Sequence, residues 1–145
     1  MPAPRLLSPF LVVSVACALP ATSFEAYRAK AVVAAEETIS QAETAVLTVE
    51  LADRDRLFGE IAAIELESAE RAAVAATDDF AAVLPPDDRS ERLRGTILPT
   101  LEDASDLIAR IRFAVRHGDL DEARRLRSSL RRPLARLERW VEPFA

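Results

Sequence analysis

One cysteine, one histidine and three glycines are present among 145 residues, and each scarcity removes a class of chemistry. A lone cysteine, Cys17, closes no intramolecular disulfide and supplies no cysteine cluster for a metal. Three isolated glycines leave no glycine-rich loop of the kind that cradles phosphate. His117 is the single histidine and no Glu-x-x-His pair exists, so the carboxylate-bridged di-metal pattern of some four-helix bundles is missing. Aromatic residues make up only 6% of the chain, which leaves few large anchors for a core. The one long uncharged apolar run covers residues 6–19. It is shorter than the ~20 residues a membrane-crossing helix needs, and Pro9 interrupts it.

That run follows a single positive charge at Arg5 and leads into small residues, which is the three-part pattern of a secretory signal. Two kinds of processing compete. Ser14-Val15-Ala16-Cys17 approximates a bacterial lipobox, with Ser14 where leucine is usual, and makes Cys17 a lipidation site. Ala16-Cys17-Ala18 and Ala21-Thr22-Ser23 instead fit the small-x-small pattern of ordinary signal cleavage. The absence of any other cysteine in a chain bound for an oxidising compartment favours attachment to lipid. The expectation is a signal peptide, or a lipoprotein signal with a short tether, over residues 1–23, and one helical domain over residues 24–145. That domain is extracytoplasmic, lipid-anchored to the cell membrane or, alternatively, secreted.

What is abundant is alanine, with 27 residues, so the apolar content is mostly small side chains of high helix propensity. Four stripes recur every three or four residues, the spacing of one helix face. The first is Phe24, Tyr27, Ala31, Ala35, Ile39, Ala42, Val46 and Val49, on a helix expected over residues 24–56 with a break at Leu57-Phe58-Gly59. The second is Ala62, Leu66, Ala69, Ala73, Ala76, Phe80 and Val83, ended by Pro85-Pro86, with Asp87 or Asp88 able to cap the next helix. The third is Leu93, Ile97, Leu101, Ala104, Ile108, Ile111 and Val115, in which Pro99 either kinks the helix or starts a new one. Arg116-His117-Gly118-Asp119 has a basic helix end, a glycine fit for the left-handed conformation and an aspartate that opens the last helix with Glu122 three positions on. The fourth stripe is Ala123, Leu126, Leu130, Leu134, Leu137 and Val141, with a kink expected at Pro133. The predicted fold is all-α, an up-down-up-down four-helix bundle. The alternative is three long helices, the first two segments fusing.

Charge is divided along the chain. Residues 24–88 carry fifteen acidic and five basic side chains, residues 89–145 nine acidic and thirteen basic. The plain consequence is that the second pair of helices complements the first. The functional alternative lies on the last helix, where Arg125, Arg132, Arg136 and Arg139 run toward Trp140 and suit surface contact with anionic lipid or an acidic partner. Nucleic acid is not expected for an acidic, exported protein. The glutamates at positions 36, 37, 43, 50, 65, 67 and 70 fall mostly outside the apolar stripes, so a solvated face explains them. No catalytic residue, metal site or cofactor is assigned.

Gly118-Asp119-Leu120-Asp121-Glu122-Ala123 is similar to the opening of a helix in tetratricopeptide repeats. No 34-residue period recurs, so this is turn-and-cap chemistry. More of the chain resembles small bacterial secreted proteins and lipoproteins with an all-helical domain. The resemblance is carried by a signal ending in Cys17, the opening Phe24-Glu25-Ala26-Tyr27-Arg28-Ala29-Lys30, the Leu57-Phe58-Gly59 break, the Pro85-Pro86 turn and the Arg116-His117-Gly118-Asp119-Leu120 turn. It implies an envelope location and transfers no activity. The functional expectation is a non-enzymatic, envelope-associated helical bundle that acts by protein contact, with an envelope protein as partner, or as a structural element. The alternative is a helical module that binds a small apolar ligand.

Overall fold

The computed structural model describes residues 21–144. The expected signal segment, up to residue 20, and with it the expected lipidation site Cys17, therefore lie outside the described residues. Four helices follow one another: α1 (Phe24–Asp53), α2 (Gly59–Ala81), α3 (Asp88–Arg116) and α4 (Leu120–Val141), then a 3-10 turn at Glu142–Phe144. They form an up-down-up-down bundle, with no strand among the described residues. One end, called upper here, carries the α1–α2 and α3–α4 connections. The lower end carries the start of α1, the α2–α3 connection and the end of α4.

The break at residues 54–58 excludes the three-helix alternative. Asp55 there has a φ of 52°, a left-handed backbone that no α-helix continues through. α1 stops at Asp53, slightly before the expected Arg56. α2 stops at Ala81, since Pro85 has no N–H to donate to the Ala81 carbonyl and its ring excludes a further helical turn. Asp87 caps α3 as expected, its carboxylate accepting from the Ser90 N–H at 2.7 Å. α3 then runs unbroken through Pro99, so no new helix starts there, and α4 runs through Pro133 in the same way.

The α3–α4 turn follows the sequence closely. Gly118 has a φ of 75°, and the N–H groups of Gly118 and Asp119 donate to the carbonyls of Val115 and Ala114, closing a Schellman motif. Asp119 Oδ1 accepts from the Glu122 N–H at 2.9 Å. The reciprocal half of a capping box is absent, because the Glu122 carboxylate pairs with Arg125 and Arg110 instead.

α1 packs against all three other helices, whereas α2 and α4 make no comparable contact. The section is therefore a flattened diamond with α1 and α3 across its short diagonal. The reason is in α1: Ala31, Ala34, Ala35, Ala42, Ala45 and Ala52 are all buried, and short side chains let helix axes approach.

The interior has two apolar clusters. The upper one is built on Val49, Leu66, Ile108, Ile111, Leu126 and Leu130, the lower one on Tyr27, Phe80, Ile97, Leu101 and Leu137. Between them the core turns partly polar: Thr38 of α1, Thr77 of α2, Ser105 of α3 and Pro133 of α4 are buried there.

Candidate functional site

The charge division of the sequence reappears as ion pairs between adjacent helices. Arg124 of α4 donates to Asp53 of α1 at 2.6 Å, and Arg127 forms an ion pair with Glu50 at 3.5 Å. The hydrogen bond to Asp53 holds the Arg124 guanidinium more firmly protonated than usual. Arg112 of α3 grips Glu70 of α2 through both Nε and Nη2. Glu36, Glu37, Glu43, Glu65 and Glu67 are exposed, as a solvated face requires.

At the upper end a groove of about 570 Å³ lies between the first turns of α2 and the last turns of α3. Gly59, Glu60, Ala63, Ile64 and Glu67 line one side, and Arg112, Val115, Arg116 and Gly118 the other. Gly59, Ala63 and Gly118 bring small side chains or none to its lining. A Cβ on Gly59 or Gly118 would meet nothing within 4 Å. The walls are apolar, the rim is charged, and the outer side is open to solvent.

Around this groove the ordinary rules of a helix surface are broken. Ile64 is 65% exposed and Phe58, immediately before α2, is 81% exposed. Phe113, on the same turn of α3 as Arg112 and Arg116, is 62% exposed. Its ring packs 4.0 Å from that of His117. Phe58 also occupies the N-cap of α2, where no side chain accepts a hydrogen bond from the first turn. An apolar residue at a position that favours serine, threonine or aspartate costs local stability, which is the pattern expected where surface serves contact.

Other sequence-predicted residues fall as follows. Helical spacing puts Arg125, Arg132, Arg136 and Arg139 together on the outward face of α4. Arg125 pairs with Glu122 at 2.8 Å. Arg132 and Arg139 make no ion pair among the described residues, and Arg136 only a 3.5 Å hydrogen bond to Thr100 Oγ1. Trp140 is half-buried, packed against the lower cluster and 5.6 Å from the Phe144 ring. His117 is the C-cap of α3, its Nδ1 2.8 Å from the Phe113 carbonyl oxygen, as its place before Gly118 suggested. No group of three or more His, Cys, Asp or Glu among the described residues is placed to hold a metal ion. No described helix is long and apolar enough to cross a membrane.

No protein family, curated protein or solved structure matches the chain. The groove itself was missed by sequence reasoning. Its signal was present in Ile64 and Phe113, large apolar residues that stand off the stripes of their helices.

Proposed function

We propose that this chain is a non-enzymatic, envelope-associated helical bundle that acts by protein contact. It is held outside the cytoplasm through a lipidated Cys17, or released there as a secreted form. The observation that carries the contact reading is the exposure of Ile64, which lines the charged-rimmed apolar groove, and of Phe113, on the same turn of α3 as the lining residues Arg112 and Arg116. Single exposed apolar side chains are ordinary, but several of them around one concavity are the makings of a recognition surface. A small apolar ligand calls for a pocket that encloses most of its surface. This groove is open on its outer side, so it suits the side chains of a partner better.

The placement of the parts supports the same reading. The chain enters the bundle at the lower end, and α1, with 30 residues, carries the fold about 45 Å upward to the groove. A tether at Cys17 then holds the groove away from the membrane. The lower half of α4, with Arg132, Arg136 and Arg139, lies near the tether and is suited to anionic headgroups.

Two measurements test this. A photoreactive residue replacing Phe113 in the full chain, expressed in its own host, is expected to give a covalent protein adduct, while one replacing exposed Leu47 on α1 gives little. No adduct at position 113, or equal yields at both positions, overturns the contact reading. Intact mass of the mature protein is expected to show a diacylglyceryl group on a chain beginning at Cys17. An unmodified chain beginning at Leu19 or Phe24 overturns the tether and leaves the contact surface standing.

A further inference from the structure

We infer that the α1–α2 connection is a processing site for an arginine-specific endopeptidase, and that the cut chain stays assembled as a two-piece bundle. The inference takes from the reading above only the location outside the cytoplasm, where such an enzyme meets the protein.

An endopeptidase needs a stretch of chain that can lie extended across its cleft. In a folded domain such stretches are exposed connections whose ends fray. Among the described residues every lysine and arginine except Arg54 and Arg56 lies within a helix. Both are exposed, and neither side chain makes an ion pair or hydrogen bond among the described residues. The α2–α3 connection, residues 82–87, holds no lysine or arginine. Arg116, the last residue of α3, is the competitor.

The two upper turns close alike but are not equally firm. The N–H groups of Asp55 and Arg56 donate to the carbonyls of Ala52 and Leu51 at 3.2 and 2.9 Å, the Schellman pattern also made after α3. The left-handed residue is Asp55, with a φ of 52°, in one turn and Gly118, with a φ of 75°, in the other. Only the first carries a Cβ that resists this backbone. The helices that follow differ too. Asp119 caps α4, as Ser23 caps α1 and Asp87 caps α3, whereas α2 begins without a side-chain cap. A strained turn and an uncapped helix start therefore run together, and opening there frees the chain from Arg54 to Ile61, just short of buried Ala62.

Hydrolysis after Arg56 breaks the Arg56–Leu57 amide: the Arg56 carbonyl keeps the hydroxyl of water and the Leu57 nitrogen takes its proton. After Arg54 the same exchange occurs at the Arg54–Asp55 bond. An arginine suits a protease whose specificity pocket ends in a carboxylate. The cut leaves α1 and everything before it on one piece, and both walls of the groove on the other. α1 packs against all three other helices, and Arg124 and Arg127 pair with Asp53 and Glu50 across the division. Packing alone then holds the two pieces together.

Limited digestion of the full chain with trypsin, read by intact mass, tests this. The first cut within residues 21–144 is expected after Arg54 or Arg56, and the two pieces should elute together with their helical content kept. Replacing both arginines, Arg54→Gln with Arg56→Gln, should leave the folded bundle uncut over the same interval. Phe58→Ser supplies the missing cap and should slow the cut several-fold in the folded protein while leaving the rate in urea unchanged. A first cut at Arg116 or another helical arginine, resistance at both positions, or a Phe58→Ser rate equal to that of the unaltered chain overturns the site, and pieces that separate overturn the two-piece bundle. In the mature protein from its own host, denaturing mass analysis is expected to show a piece beginning at Asp55 or Leu57. Uncut chain alone overturns the processing, and leaves the Phe113 adduct and the Cys17 lipid to decide contact and tether separately.

Discussion

Thr77 Oγ1 and Ser105 Oγ lie 3.2 Å apart in the layer between the two apolar clusters, joining α2 to α3 through a buried hydrogen bond. Thr77 also donates to the Ala73 carbonyl at 2.9 Å. In that layer Thr38 Oγ1 of α1 is buried without a protein partner. The two threonines should therefore respond oppositely to the same change. Thr38→Val keeps the shape and removes a desolvated hydroxyl, and is expected to raise unfolding free energy by about 1 kcal/mol. Thr77→Val breaks a satisfied pair and is expected to lower it by about 1 kcal/mol. Urea unfolding of both variants checks this, and a loss of stability in Thr38→Val contradicts it.

Tyr27 is the one tyrosine in the chain, so its ionisation can be followed without interference. Its side chain is fully buried, the ring 5.3 Å from that of Phe80. Burial pushes the phenol above its ordinary value of 10.0, with Arg94 opposing and Glu91 adding to the shift. The folded state holds the neutral form, so the stabilisation is complete below the ordinary value. It is lost as pH rises past that value, where the unfolded chain ionises first. Phenolate absorbance should rise together with loss of helical circular dichroism, and Tyr27→Phe should weaken the alkaline fall in stability. Phenolate appearing at the ordinary pH with full helix retained would contradict this.

Asp87 titrates in the opposite sense. Its carboxylate accepts from the Ser90 N–H at 2.7 Å and the Ser90 hydroxyl at 2.8 Å, and these bonds hold it below its ordinary value of 3.8. A depressed folded value stabilises the protein above the ordinary value, and the contribution disappears as pH falls through the folded one. Asp87→Asn keeps an oxygen at the cap but removes the titration. Its melting temperature should fall less steeply than that of the unaltered chain as pH falls below the ordinary carboxylate value.

The bundle was legible because its four stripes are regular. Of the seven residues in the second stripe, only Ala76 is not buried. Asp87, Asp119 and Gly118 declared their capping and turn roles through side-chain chemistry that acts locally. Proline was less readable. Pro99 and Pro133 remove one backbone donor each, a loss that the surrounding packing absorbs in both helices without breaking them. The diamond section was not visible either, because it follows from how closely α1 and α3 approach through alanine, a property of the packed pair. The groove escaped for a similar reason: Gly59 and Gly118 read as punctuation in one dimension and become its walls only after α2 and α3 lie side by side.

Gly95 and Gly118 isolate backbone conformation from packing, since neither position has an atom within 4 Å of an added Cβ. Gly95 is inside α3 with ordinary helical geometry, so Gly95→Ala should stabilise by about 0.5–1 kcal/mol. Gly118 has a φ of 75°, so Gly118→Ala should destabilise by about 1 kcal/mol despite the same open space. Melting curves of the two variants are expected to shift in opposite directions.

The Arg28 guanidinium lies 4.8 Å from the centre of the Phe144 ring, and Ala21 packs against the cluster that also holds Trp140 and Val141. The two ends of the described domain thus meet at one corner, and the chain is nearly a closed loop. A short linker from residue 144 to residue 21, with new ends opened in the turn at Gly118, would trace the same bundle as a circular permutant. Under the lipid anchor proposed at Cys17, attaching the segment before Ala21 to those new ends instead would turn the bundle end for end and bring the groove, rather than the lower end, next to the attachment point.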